Sequence, residues 1–286
     1  YEISDCPVGS EMCIRDRLIG IVVSSIMMFA LFTSYNAINN SYSQVSDRVE
    51  ISRTGRLALG MLLKDIRMAG YFDINSIKHG DNQLQPILVY KGGNFNKASR
   101  KCDSIAIVYG DTILNEDGTF DYPIYRTLYQ CVKSKTQDTK QGKGSGNYVT
   151  KDLFAITVTK VKYKPNSDPL KAGTWEDPTT DGDPATFPAE VLIDHVEDMI
   201  FNAIDENGKI ISPPPNITNE NKDKIYSIRS VDIAIMLRST DEFFKEKRER
   251  NTFALSNSDR NKEKTDRYLR DTIVVTAHNR NIGMLR

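Results

Sequence analysis

The chain has 286 residues with 38 basic and 38 acidic side chains, so its formal net charge is zero. This balance argues against a protein that binds nucleic acid through its overall charge, because such proteins carry a basic surface. Charged residues make up 27% of the chain and hydrophobic residues 39%, which is the ordinary composition of a folded globular protein.

The first predicted element is an apolar segment from Leu18 to Phe32. It is shorter than the roughly 20 residues that a membrane-spanning helix needs. It has the length of the apolar core of a signal peptide, but no small-residue cleavage site follows it. The stretch before it, YEISDCPVGSEMCIRDR, has no usable apolar face, and we predict that residues 1–17 are a non-native lead that replaces the start of the helix.

The next element is an amphipathic helix over residues 36–70. Apolar residues recur there at steps of three and four, with charged residues at most other positions. No proline lies between Leu18 and Gly70, and Gly70 is a natural helix stop. The sequence therefore predicts one helix over residues 18–70, with an apolar anchor at 18–35 and an amphipathic half at 36–70.

Beyond Gly70 the apolar pattern changes to period two, which predicts a β-rich globular domain over residues 71–286. Strands are expected at 104–110, 122–133, 152–164, 227–239 and 265–281, with a turn at 115–121. Residues 189–210 predict a short turn or helix, then a strand and an Asn-Gly turn. Residues 135–147, 165–188 and 240–265 are predicted to be loops. The expected fold class is α+β, an antiparallel sheet behind one long helix.

The cysteines do not have the spacing of a metal site. Cys6 and Cys13 lie in the lead, and Cys102 and Cys131 lie in the body. If the body is exported, Cys102 and Cys131 are expected to form a disulfide; the alternative is two buried thiols.

Catalytic motifs are absent from the sequence, so neither an enzyme nor a cofactor is expected. Asp177, Asp181 and Asp183 are chemically suited to calcium, but they depart from the EF-hand pattern and a solvated acidic loop is favoured. Trp175 in the same loop is expected to pin the loop to the domain. His195 stands beside Asp194 with no second histidine nearby, and it is expected at the surface.

Four phrases resemble the minor pilins of type IV pili, the PilW class. The first is the helix end DIRMAGY, residues 65–71. VEDMIFNAIDENG (196–208) is similar to the family's V-E strand and turn, although Asn202-Ala203 replaces the usual Tyr-Gly. SVDIAIMLRS (230–239) matches the family's strand before its charged loop. DRYLRDTIVVTAHNRN (266–281) matches the closing phrase, with His278 near a usual apolar position.

This resemblance implies a non-enzymatic pilin that helps to prime pilus assembly in a minor-pilin tip complex. It implies an inner-membrane protein with a periplasmic domain whose partners are other minor pilins and the major pilin. Members of this family begin with a basic leader that the prepilin peptidase cuts, and the new N-terminus is methylated. A J-class minor pseudopilin of type II secretion stays open, as does an anchored periplasmic binding or enzymatic domain.

Two sets of helix residues are expected to carry this role. The apolar anchor, with small residues that permit close helix approach, is expected to contact the membrane and other pilins. Its apolar residues are Leu18, Ile21, Val22, Ile26 and Phe29. The amphipathic half is expected to pack on the sheet through Leu59, Leu62, Leu63 and Ile66.

Overall fold

The computed structural model describes residues 10–71, 84–92, 102–134, 153–168, 173–211, 226–244, 246–251, 255 and 263–282. The chain divides into two compact units, the first ending at Val49 and the second beginning at Glu50. The predicted loop at 135–147 lies outside the described residues.

One long helix, α1, runs from Ser10 to Met68. It begins eight positions before the predicted start, because residues 10–17 contain no proline or glycine that would interrupt it. It ends where the sequence predicts, since Gly70 adopts a φ of +76° that a residue with a side chain rarely takes.

Thirteen strands are present among the described residues. They are β1 Ile87–Tyr90, β2 Ser104–Gly110, β3 Ile113–Leu114, β4 Phe120–Asp121, β5 Ile124–Lys133, β6 Phe154–Lys164, β7 Thr174–Trp175, β8 Phe187–Asp205, β9 Ile210–Ile211, β10 Ile228–Glu242, β11 Arg248–Asn251, β12 Glu263–Asp266 and β13 Tyr268–His278.

The main sheet has nine strands in the order β1-β2-β5-β6-β8-β10-β13, with β7 paired to β6 and β9 paired to β8. Every strand pair is antiparallel. Strand β5 shows the period-two pattern directly, because its buried side chains alternate with half-buried ones. The five strands predicted from this pattern are present as β2, β5, β6, β10 and β13.

Two predictions about the second half of the chain are wrong. The stretch predicted to begin with a turn or helix at residue 189 belongs to the 19-residue strand β8. Its pairing register shifts beside His195, whose φ is +60°, so a bulge produced the break in the apolar pattern. The charged segment 240–265, predicted to be a loop, instead contributes the end of β10 and the hairpin β11–β12.

Within the second unit, the part of α1 from residue 50 onward packs on one face of the main sheet, and this packing forms the core of that unit. The buried side chains come from the helix and from the strands, including Leu62, Ile66, Ile105, Tyr129 and Phe201. The predicted α+β class, a long N-terminal helix packed on an antiparallel sheet, is confirmed.

Candidate assembly helix and its docking on the sheet

The apolar anchor of α1 exposes its large side chains to solvent. The five predicted residues are each between 55% and 70% exposed; they are Leu18, Ile21, Val22, Ile26 and Phe29. Exposed apolar residues of this number are unusual on the surface of a soluble monomer, and they mark contact with lipid or with protein.

Three hydroxyl side chains of the anchor bond to carbonyls of the helix itself. The hydroxyl of Ser24 donates to the Ile21 carbonyl at 3.0 Å, and the hydroxyl of Ser25 donates to the Val22 carbonyl at 2.8 Å. Thr33 donates to the carbonyl three positions before it at 2.9 Å. No hydroxyl of these three therefore needs water, which suits apolar surroundings.

By length and composition, α1 could cross a membrane, and none of its most apolar 18-residue window is buried. The apolar segment predicted from the sequence, residues 18–32, is shorter because it ends before the polar residue Thr33. A bilayer tolerates such a residue when its hydroxyl bonds to a helix carbonyl, as it does here.

The amphipathic half of α1 places its predicted stripe on the sheet. Leu59, Leu62 and Ile66 are buried, and Leu63 is partly buried against the same core. At Gly55 the helix comes so close that an added Cβ would lie 2.5 Å from Ile273 Cδ1. A larger residue at this position would therefore have to displace the side-chain ends of Ile273 and Leu237.

The end of α1 is held by the last residues of the described chain. The side-chain amide of Asn279 donates to the Ile66 carbonyl at 2.9 Å, and that of Asn281 donates to the Arg67 carbonyl at 3.0 Å. The Gly70 amide donates to the Val108 carbonyl of β2 at 2.9 Å. These bonds satisfy helix-end groups that would otherwise be left without partners.

Asp65 of the DIRMAGY phrase faces the sheet. The Tyr129 hydroxyl donates to its Oδ2 at 2.7 Å. Burial raises the pKa of Asp65, and this effect outweighs the lowering by the Tyr129 hydrogen bond. Burial and the nearby Asp65 carboxylate together raise the pKa of Tyr129.

A buried ion network that no sequence pattern predicted joins β8 to β13. Arg270 Nε and Nη2 donate to the two carboxylate oxygens of Glu197 at 2.8 and 2.9 Å. Arg270 also donates to both oxygens of Asp266 at 2.6 and 2.5 Å. Burial alone would lower the pKa of Arg270, but its bonds to Asp266 and Glu197 outweigh burial and raise it.

The phrases that carry the resemblance therefore meet in space. Glu197 of the V-E phrase bonds to Arg270 of the closing phrase. Asn279 of the closing phrase bonds to Ile66 of the helix-end phrase. Strand β10, which contains the remaining phrase, pairs with β8 on one side and β13 on the other.

Cys102 and Cys131 form the expected disulfide, with their Cα atoms 5.9 Å apart. Cys102 has a φ of +64°, and its amide donates to Asp198 Oδ1 at 2.6 Å. The next residue, Asp103, is fully buried and accepts bonds from the amide of Phe201 and from Lys91 at 3.1 Å each. The disulfide thus lies in a segment tied to β8.

The three aspartates of the acidic loop bond to protein groups in the structure. Asp177 accepts from Thr179, and Asp181 accepts from the Thr186 hydroxyl. Asp183 pairs with Lys162 at 3.0 Å. No cluster of three or more metal-ligating side chains occurs among the described residues.

Trp175 packs where the sequence analysis expected it to pin the loop. Its ring lies 5.2 Å from the ring of Tyr163, and the Arg126 guanidinium lies 4.4 Å from its centre. His195 differs from the expectation of a surface residue, because it is half-buried at the bulge of β8.

One comparison with solved structures found a similar chain. A type IV-like pilin from Thermus thermophilus is similar over 81% of this chain and 96% of its own, at 10% identity and a TM-score of 0.45. No protein-family model and no curated protein sequence matches the chain.

Proposed function

We propose that this chain is a minor pilin of the PilW class that helps to prime type IV pilus assembly in a minor-pilin tip complex and has no enzymatic activity. The proposal is supported by one observation above the others. A single helix carries an exposed apolar anchor and, further along, a stripe buried under an antiparallel sheet.

The apolar anchor and the buried stripe of α1 serve different purposes for a physical reason. An apolar helix surface is compatible both with lipid and with the core of a filament made of packed helices, so one segment serves before and after assembly. The small residues Gly20, Ser24, Ser25 and Ala30 would allow neighbouring helices to approach closely. The buried stripe keeps the β-domain attached in both states.

The proposal includes the location and the partners. The anchor would hold the protein in the bacterial inner membrane with the sheet domain in the periplasm, and assembly would then carry it to the pilus tip. Its partners would be other minor pilins and the major pilin, and the prepilin peptidase would process the precursor. Nucleic acid is not a proposed partner, because the net charge is zero.

Ile26→Arg tests the anchor. A charge at mid-bilayer depth costs about 2.5–3.5 kcal/mol on insertion scales, and it would find no partner in an apolar filament core. We expect cells that carry this variant to lose surface pili. Ile26→Leu is the matched control, because it keeps an apolar side chain of the same size, and it should leave pili normal.

Leu62→Asp tests the stripe separately. Leu62 is 1% exposed, so the variant places a carboxylate in the core and should remove the protein from cells. The variants are expressed in a strain without the native gene, and protein level and surface pili are scored separately. Normal pili with Ile26→Arg, or unchanged piliation and secretion after deletion of the gene, would contradict the pilin role. Loss of secretion with normal pili would instead identify a J-class pseudopilin.

A further inference from the structure

The hairpin β3–β4, residues 113–121, carries an exposed apolar face that the proposed function does not use. Leu114 and Phe120 stand directly opposite each other across the two strands, so their side chains share a face. Tyr122 follows directly after the end of β4. The three side chains are 63%, 55% and 59% exposed.

The hairpin holds this face in a defined shape. The Asn115 amide donates to the Thr119 carbonyl at 2.8 Å, and the Thr119 hydroxyl donates to Asp117 at 2.6 Å. At its base, the Gly110 amide donates to the Tyr71 carbonyl at 2.7 Å. An apolar face that is preorganised in this way loses little conformational entropy on binding.

The charged side chains of the hairpin and its flanks have one sign, although Asp121 pairs with Ile113 and so lies on the face opposite to Leu114 and Phe120. Residues 111–122 contain four carboxylates and no basic residue; the carboxylates are Asp111, Glu116, Asp117 and Asp121. A partner for this hairpin therefore needs apolar side chains bordered by cations.

The second unit of the same chain presents such a surface. The side of α1 that faces away from the sheet, here called the outward helix face, exposes Leu57 at 63% and Met61 at 45%. Four exposed cations border them on that side, and they are Arg53, Arg56, Lys64 and Arg67. Gly60 lies between them, and an added Cβ there would meet nothing within 4 Å, so the surface is open.

We propose that the β3–β4 hairpin of one copy docks on the outward helix face of a second copy. Among the residues that the structure describes, nothing covers either surface. The contact joins two different patches, so it is heterologous and can repeat from copy to copy without closing. It does not depend on the proposed role in piliation, which is scored by surface pili.

Cysteine cross-linking in cells tests the contact in the full chain. Leu57→Cys and Leu114→Cys are placed on two differently tagged copies in a background with Cys6→Ser and Cys13→Ser, and membranes are oxidised. We expect a dimer that carries both tags. The matched control replaces Leu114→Cys with Val191→Cys, because Val191 is equally exposed at 63% but lies on β8.

Charge exchange tests whether the cations and carboxylates meet. Arg53→Glu with Arg56→Glu on one copy should lower the dimer yield roughly tenfold, since like charges then face each other. Glu116→Lys on the other copy should also lower the yield, and the two sets of changes together should restore the dimer. Asp117 is left in place because it closes the turn.

Each outcome of these experiments either supports or overturns the proposed contact. A mixed dimer that exceeds the Val191→Cys control and is restored by the double exchange supports the contact. No mixed dimer, a yield equal to the control, or cross-linking to another protein alone would overturn it. Preferred pairing of two Leu114→Cys copies would also overturn it, because that pairing would be symmetric.

Discussion

Removing Arg270 from its ion network should be among the most damaging changes outside the apolar core. The side chain of Arg270 is 7% exposed and that of Glu197 is 6% exposed. Arg270→Met keeps most of the side-chain volume but leaves the Glu197 carboxylate buried without its cation. Breaking a buried ion pair from one side costs about 3–5 kcal/mol of the free energy of unfolding.

The neighbouring Arg267 supplies a matched control. Arg267 pairs with Glu242 at 3.4 Å, and both side chains are more than a third exposed. Exposed pairs contribute about 0–1 kcal/mol, so Arg267→Met should change the free energy of unfolding by no more than that. The two variants remove the same side chain from positions three apart on the chain.

Urea unfolding of the full chain in detergent measures the difference. Trp175 is the single tryptophan, and its contacts with Tyr163 and Arg126 make its fluorescence a reporter of the folded second unit. With a slope of about 2–3 kcal/mol per M, Arg270→Met should lower the midpoint by about 1–2 M.

A double-mutant cycle then separates the pair from its surroundings. Arg270→Met combined with Glu197→Gln should cost clearly less than the sum of the two single variants, because the stranded charge is gone. Equal urea midpoints for Arg270→Met and Arg267→Met would contradict the prediction. So would a double variant whose loss of unfolding free energy equals the sum of the losses of Arg270→Met and Glu197→Gln.

Three further predictions concern the second unit. Reduction, or paired alanine variants of Cys102 and Cys131, should lower the free energy of unfolding by about 3–4 kcal/mol on the chain-entropy model. In unreduced native protein neither Cys102 nor Cys131 should alkylate, and alkylation of both would contradict the disulfide. Folding raises the pKa of Asp65, so ionisation of Asp65 lowers the free energy of unfolding as pH rises above the unfolded-state pKa of 3.8. Asp65→Asn cannot ionise, and its stability relative to the parent should therefore increase from pH 4 to pH 7. A difference that stays constant over this range would contradict the prediction. Gly55→Leu should lower the free energy of unfolding by about 1–3 kcal/mol, because the side chain overpacks the contact with the sheet. Gly60→Leu, where an added Cβ would meet open space, should be neutral or stabilising in the same urea unfolding experiment.

Local sequence patterns were sufficient for the long helix and for most of the long strands of the main sheet. The absence of proline and the spacing of apolar residues predicted the long helix, and Gly70 marked its end. The period-two alternation predicted the main strands, and the Asp-Gly pair at 117–118 predicted the turn between β3 and β4. Each of these features depends on backbone preferences and side-chain direction within a few residues, so the sequence alone determines them.

The tertiary structure decided which distant groups meet. Asn279 caps a helix carbonyl 213 positions away, and Arg270 pairs with a carboxylate 73 positions away. The bulge at His195 interrupted the alternation and made one strand resemble two elements. These features arise when register and packing are fixed across the whole sheet, because only then do burial and hydrogen bonding select among the available charged and polar side chains.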